Sequence, residues 1–383
     1  DHLLFVIEDE GDFAGWELQH HGEGDQFVGD KHIHYHLPNT SREIPTPKFV
    51  NFSESLPTHL VKRTQLVEQL HNQIFKAGGD SRLVVHGIAG IGKTSLLRLY
   101  ADHCKGDFQH LIWVECHGSI AKACLENGDL LAHLQLSFPN SMPEAERFSH
   151  IQKRLREQFA NQTCLVVIDN VEAGHAQEMR QILLDTNFKL VFLSREPIQY
   201  FHSFVAKEMQ PDESRSLFSF YLPEGCDEHQ LQTLFSSVGY HPFAIEMISK
   251  HLQNGVYKSL DDVLKLMERR QGKPFTGSDL DDFFKKLVRV DKLPHDEQIL
   301  LLHLSVIPPS TWSFDELAEI LNLSPEKAAA TRQLAFSLLA KGYLSGDMKH
   351  LQCHQIIQMA AREANRPTAG NCRELLDAFG KPL

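Results

Sequence analysis

A chain of 383 residues is long enough for two or three domains rather than one large core. Its 42% hydrophobic and 23% charged residues match ordinary folded, water-soluble chains and exclude disordered, collagen-like and lipid-embedded classes. Thirty-eight Lys and Arg against fifty Asp and Glu give a net charge of −12, which argues against nucleic acid or an anionic membrane as the main partner.

The seven cysteines, Cys104, Cys116, Cys124, Cys164, Cys226, Cys353 and Cys372, are odd in number, scattered and without a C-x-x-C pair. They lead us to expect a reducing, cytoplasmic setting. Apolar stretches such as 164–168 and 299–302 are far shorter than the ~18 to 20 residues that span a bilayer, so no membrane helix is expected. The chain opens on Asp1 without a charged-then-apolar leader, which suggests a processed chain or a fragment without a secretory signal.

In chain order, residues 1–48 are rich in Asp, Glu, Gly and His and end in Pro38, Pro45 and Pro47, which break regular structure. We read them as an N-terminal segment and linker, an effector remnant at most. Leu66, Leu70 and Ile74, beside Val67 and Phe75, predict an amphipathic helix that Gly78-Gly79 stops. Short β-rich runs at 83–86, 111–116, 164–168 and 189–194 then alternate with helical stretches, predicting a parallel sheet covered by helices. Continuous apolar runs such as Leu165-Val166-Val167-Ile168 suit strands buried on both faces. After Pro211 the periodicity is helical, with Leu217, Phe218, Leu231, Leu234, Phe235, Ile245, Ile248 and Leu252 as core positions. A Gly/Pro-rich hinge at 271–277 precedes helices expected near 280–290, 297–306, 314–321 and 325–340. Gly342 closes the last of these, and a tight turn at Gly346-Asp347 joins two short strands, the pattern of a winged helix. The expected organisation is an α/β P-loop NTPase domain at 49–209, a helical domain at 210–275, a winged-helix domain at 276–365 and a tail at 366–383.

The strongest motif is Gly87-Ile88-Ala89-Gly90-Ile91-Gly92-Lys93-Thr94, which matches G-x-x-x-x-G-K-S/T between a strand and a helix beginning near Ser95. Such a loop turns backbone N–H groups onto phosphate oxygens, and the helix N-terminus adds its positive end. Lys93 should reach the outer phosphates and Thr94 should hold Mg²⁺. An acid on a neighbouring buried strand is also needed for the metal, and Asp169 supplies it after Ile168. Asn170 follows and cannot accept a proton, so we expect slow hydrolysis, with Glu172 as a weaker candidate base. Arg195, at the carboxyl end of its strand, is placed to sense a γ-phosphate.

Together with Gly239-Tyr240-His241-Pro242-Phe243-Ala244-Ile245-Glu246 and Cys353-His354-Gln355, these motifs resemble, in order, those of the STAND class of P-loop ATPases, in particular its NB-ARC members. The resemblance covers residues from about 55 to 365. It implies that Val61 touches adenine, that Pro242 packs on the base or ribose, that Arg195 reads the γ-phosphate and that His354 contacts the β-phosphate of ADP. Val61-Lys62-Arg63-Thr64 stands where the family has V-G-R-E, and Cys353 and Gln355 flank His354 where it has Met and Asp. The implied function is an ATP/ADP-dependent signalling switch, closed with ADP and oligomeric with ATP, in defence or programmed cell death. Its trigger ligand and effector are not identified, and no repeat array is recognised.

Two further patterns carry less. His32, His34 and His36 alternate on one side of an extended segment, a geometry for Zn²⁺ or Ni²⁺ that lacks a fourth ligand, and we read it as an exposed strand. The expected recognition helix at 325–340 offers only Lys327 and Arg332, opposed by Glu326. The competing readings are an AAA+ initiator-like ATPase that binds DNA through its winged helix and a scaffold that holds nucleotide without hydrolysing it.

Overall fold

The computed structural model describes residues 49–51, 60–75, 82–139, 141–182, 185, 187–222, 226–267, 283–284, 286–307, 311–373 and 375. The segment 1–48 with His32, His34 and His36, Gly78-Gly79 and the 271–277 hinge lie outside them.

Six parallel strands form one sheet: β1 (Phe49–Val50), β2 (Arg82–His86), β3 (His110–Glu115), β4 (Cys164–Val171), β5 (Phe188–Ser194) and β6 (His202–Val205), in the order β1-β3-β4-β5-β2-β6. Alternating side chains fill two cores, as the two-residue period of a strand requires. Val84, Ile112, Val114, Val166, Ile168, Leu190 and Phe192 face one layer of helices, α3 (Ile120–Glu126), α4 (Gly128–Leu134), α5 (Glu144–Gln158) and α6 (Ala176–Gln181). Leu83, Val85, Leu111, Trp113, Leu165, Val167, Val191 and Leu193 face the other, α1 (Thr64–Ile74) and α2 (Lys93–His103). This is the doubly covered sheet expected from the apolar runs. The edge strands β1 and β6 were not foreseen: the first is two residues long, and the second, mostly exposed, lacks an apolar run.

Helices follow: α7 (Pro211–Tyr221), α8 (Glu228–Ser237), α9 (Pro242–Gln253) and α10 (Leu260–Met267), then α11 (His295–Val306), α12 (Phe314–Ile320), α13 (Pro325–Lys341) and α14 (Gln355–Ala364). Their caps follow their sequence. Asp227, Ser313 and Ser324 accept N–H groups of the first turns of α8, α12 and α13, and Gly342 ends α13 in the left-handed conformation at φ 83°. Two-residue strands β7 (Thr311–Trp312) and β8 (Leu351–Gln352) pair antiparallel, and Ser345 bridges Gln352 around the Gly346-Asp347 turn. β8 is thus one of the two short strands expected at that turn; before the turn only the Ser345 bridge forms, and β8 pairs instead with β7. One continuous apolar core runs from Met209 and Leu217 through Ile245 and Ile248 to Leu338, Ile356 and Leu375, so α7 to α14 pack around common side chains.

A buried acid ties this region together. Glu297 on α11 is 3% exposed and accepts from Lys341 Nζ at 2.7 Å and from Ser337 Oγ at 2.7 Å, both on α13. Removing one partner of a buried pair strands the other, at a cost of about 3 kcal/mol or more. We therefore expect Glu297→Ala to lower the urea midpoint of the helical region markedly, whereas an unchanged midpoint would show that Lys341 and Ser337 find water instead.

Candidate functional site

The carboxyl ends of β2, β4 and β5 converge on the loop 87–92, as expected of an open parallel sheet that binds ligand at this edge. Gly90 and Gly92 take φ of 75° and 89°, a region costly for side chains. Gly92 caps α2 without a side-chain hydrogen bond, so the first-turn N–H groups of α2 are not held by a capping side chain. Lys93 Nζ donates back to the carbonyls of Gly87 at 2.8 Å and Ile88 at 3.2 Å, which places its charge inside the loop. Burial pulls its pKa down to about 8, opposed by Asp169 and assisted by Arg195.

Thr94 Oγ1 donates to Asp169 Oδ2 at 2.8 Å, and Asp169 Oδ1 accepts the N–H of Asn170 at 2.7 Å. Burial raises the Asp169 carboxyl above its usual range, against the pull of Thr94. The strand expected to end at Ile168 continues to Val171 through an irregularity, with Asn170 at φ 62°, a conformation Asn tolerates. A hydroxyl and a carboxylate meeting beside a lysine at a helix N-terminus are hard-oxygen donors suited to Mg²⁺ with a polyphosphate. The residues present therefore fit a Mg-nucleotide, with Thr94 and Asp169 as the metal's side and Lys93 as the phosphate's.

A cavity of about 2010 Å³ opens over this edge, lined among others by Gly90, Lys93, Asp169, Arg195, Pro242 and His354. Gly92, Thr94 and Ser95 also line it. Gly87, Ile91 and Val61 do not: Ile91 is 1% exposed in the α2-side core, Gly87 abuts Ala206, and Val61 packs with Ile88 and Ala89 against the helical core.

Two histidines cap α9 and α14 beside the loop. His241 caps α9, accepting from Ala244 N–H through Nδ1 at 3.4 Å and donating from Nε2 to the loop carbonyl of Ala89 at 3.0 Å. His354 caps α14, its Nδ1 accepting from Ile356 N–H at 3.2 Å, while its ring stacks on Phe243 at 4.5 Å. A ring nitrogen that accepts must carry no proton, and burial enforces this by lowering the pKa of His241 to about 3 and of His354 to about 4. Phe243 N–H also donates to the Gly90 carbonyl at 3.4 Å.

The sequence reading missed the connections among these groups. Arg195 donates to Gln355 Oε1, Gln355 Nε2 donates to Asn170 Oδ1 at 3.3 Å, and Asn170 Nδ2 donates to Cys116 O at 3.1 Å. Gln355, noted earlier only as a departure from a motif, thus couples the strand ends to α14. Arg63, which matches the arginine of V-G-R-E, is 6% exposed and donates to the carbonyls of Lys207 at 2.6 Å and Glu208 at 2.8 Å, with Glu213 at 3.4 Å. It pins the entry of α1 to the junction between sheet and helices. That match, just before an amphipathic helix, was its sequence signal.

A Cβ on Gly90 would lie 2.9 Å from His241 Cε1, 2.9 Å from Phe243 Cβ and 3.0 Å from Ile356 Cδ1. Gly90→Ala should therefore push α9 and α14 off the loop. The expected result is faster limited proteolysis near α14 with the sheet intact by circular dichroism; unchanged proteolysis would mean that the helices adjust without parting.

The AAA ATPase domain family matches residues 59–195, which hold the loop, Asp169 and Arg195. Among solved structures the chain is similar to a signal transduction ATPase with numerous domains (STAND) that carries a tetratricopeptide repeat sensor, from Pyrococcus horikoshii, at 16% identity and a TM-score of 0.53, over 82% of this chain and 45% of that one. It thus spans less than half the length of that protein. It is also similar to Cdc6p from Pyrobaculum aerophilum (17% identity, TM-score 0.41, 82% of this chain and 97% of that one). A Walker-type ATPase of Pyrococcus abyssi is similar at 13% identity and a TM-score of 0.37, over 78% and 95% of the two chains. No curated protein sequence matches. No helix among the described residues is long and apolar enough to cross a membrane. Loop, acid and parallel sheet, together with the match of the AAA ATPase domain family over residues 59–195, support a P-loop ATPase domain.

Proposed function

We propose that the chain is an ATP/ADP-dependent signalling switch in which nucleotide phosphates decide whether α14 stays against the sheet. The observation that carries this reading is the hydrogen-bonded run from Arg195 through Gln355 to Asn170, beside the Phe243–His354 stack. Arg195, the candidate γ-phosphate sensor, is the same side chain that holds the first residue of α14. A γ-phosphate and Gln355 then compete for one guanidinium. ADP leaves Arg195 to Gln355 and keeps the chain closed; ATP draws it away and releases α14. A hydrogen bond to a charged group contributes roughly 1.5 to 3 kcal/mol, so the exchange can shift the two states by about 10- to 100-fold.

In this reading Lys93 and the N–H groups of Gly90, Gly92, Thr94 and Ser95 hold phosphates, Pro242 flanks the base, and His354 approaches the β-phosphate with a neutral ring. The operating units are 49–209, 210–275 and a winged-helix domain at 276–365. Opening exposes surface for a homo-oligomer, set off by a trigger ligand and passed to an effector, and defence or programmed cell death is the setting that the STAND likeness suggests. The DNA-reading alternative is less favoured because Arg332 on α13 donates to Asp315 at 2.8 Å and lies over the Phe314 ring, which occupies it away from any base edge.

Two experiments test the reading. Denaturing the purified chain should release ADP, identified by chromatography, and Lys93→Ala should weaken adenine nucleotide binding by about 10- to 100-fold; GDP, or no nucleotide, contradicts it. Gln355→Ala and His354→Ala should each raise the oligomeric fraction in size-exclusion light scattering without added ATP. Mass distributions identical to wild type would remove α14 from the switch.

A further inference from the structure

We propose that Glu115, at the end of β3, is the general base that activates water for attack on the γ-phosphate, a role that rests on the nucleotide reading above. Leu111 and Trp113 of β3 enter the core on the α2 side, and Glu115 continues that series. Leu165 and Val167 of β4 enter the same core, and Asp169 continues theirs. Glu115 and Asp169 are register partners on adjacent parallel strands, which lie about 4.8 Å apart. The two carboxylates therefore leave the sheet side by side, on the face where Thr94 meets Asp169, and both line the cavity with Lys93 and Arg195. Burial is the main cause that raises the Asp169 carboxyl, and the nearby Glu115 adds to it.

The other acids at these strand ends are committed elsewhere or carry no such register. Asn170 cannot take a proton, and both ends of its amide are bonded, to Cys116 and Gln355. Glu172, the weaker candidate from the sequence, is exposed, and its carboxylate accepts the backbone N–H of His175 as a helix cap. Asp169 is held by the Thr94 hydroxyl on the metal's side of the site. Glu115 is 33% exposed at the cavity rim, with His117 Nε2 at 3.7 Å from its Oε2. In the step assigned to it, the water oxygen bonds to the γ-phosphorus as the bond to the β,γ-bridging oxygen breaks. The bond's electron pair stays on ADP, the water proton passes to Glu115, and phosphate leaves.

The test compares wild type, Glu115→Gln, Glu115→Asp, Glu172→Gln and Glu196→Gln in the full chain. Phosphate release is measured with ATP, together with equilibrium affinity for fluorescent ADP and chromatography of the nucleotide retained after gel filtration. Glu115→Gln should lose about 100-fold or more in turnover, keep its affinity and retain ATP where wild type retains ADP; Glu115→Asp should fall between, and the Glu172 and Glu196 variants should match wild type. Wild-type turnover in Glu115→Gln, loss of its nucleotide affinity with the fold intact, or loss of turnover in Glu172→Gln or Glu196→Gln overturns the assignment. If Glu115→Gln does not fold, Glu115→Asp decides, and a wild-type rate there overturns the base role. Wild type that binds ATP but releases no phosphate overturns the base role and leaves the exchange switch standing, whereas wild type that binds no nucleotide overturns both.

Discussion

Close backbone contact at Gly90 is the constraint on which the rest of the site depends. Because this residue has no side chain and turns left-handed, His241 and Phe243 of α9 and Ile356 of α14 reach the phosphate loop itself. Here the same few atoms are also the seat for two helices from later in the chain, so whatever settles in the loop is felt by both. No long relay of side chains is needed between ligand and helices, because the coupling is a shared surface.

The chemistry of that surface is consistent with its geometry. Two imidazoles cap two helices, each with an accepting nitrogen, and burial keeps both neutral at physiological pH. Protonating either ring would set a charge at the positive end of a helix and remove a cap at once. The polar side is arranged with equal economy of partners. Asn170 follows Asp169 and cannot accept a proton, and its amide bonds to the Cys116 carbonyl just past β3 and to Gln355 of α14. One side chain thus leaves that position without a base and supplies a joint between sheet and helix. This suits a device whose output is a state rather than a product.

What the sequence made legible was what is local. The loop 87–94, the acid after a buried run and the alternation of strands and helices depend on residues within a few positions of one another, and each expected central strand lies in the sheet. Edge strand β6 was hidden because His202 and Ser203 give no apolar signal, and β7 because two residues carry no period. The extension of β4 past Ile168 was hidden by an irregularity that only its pairing with β5 reveals. Arg195 and Gln355 are separated by 160 positions, and nothing in either neighbourhood states that they meet. Glu115 lies within the expected run 111–116, where nothing local states that it stands in register with Asp169. Resemblance supplied roles for Val61 and Pro242, yet Pro242 lines the cavity while Val61 lies against the apolar cluster beside Ile88.

If phosphates and α14 compete for the same groups, hydrogen–deuterium exchange of the amides that open this helix reports the competition. Ile356, Ile357 and Gln358 all donate to His354, and Phe243 N–H donates to Gly90. With a non-hydrolysable ATP analogue these four amides should exchange faster than with ADP, while the β4 amides stay equally protected. Equal or slower exchange with the ATP analogue would contradict the account, because α14 would then be held by something other than the contacts that the γ-phosphate disturbs.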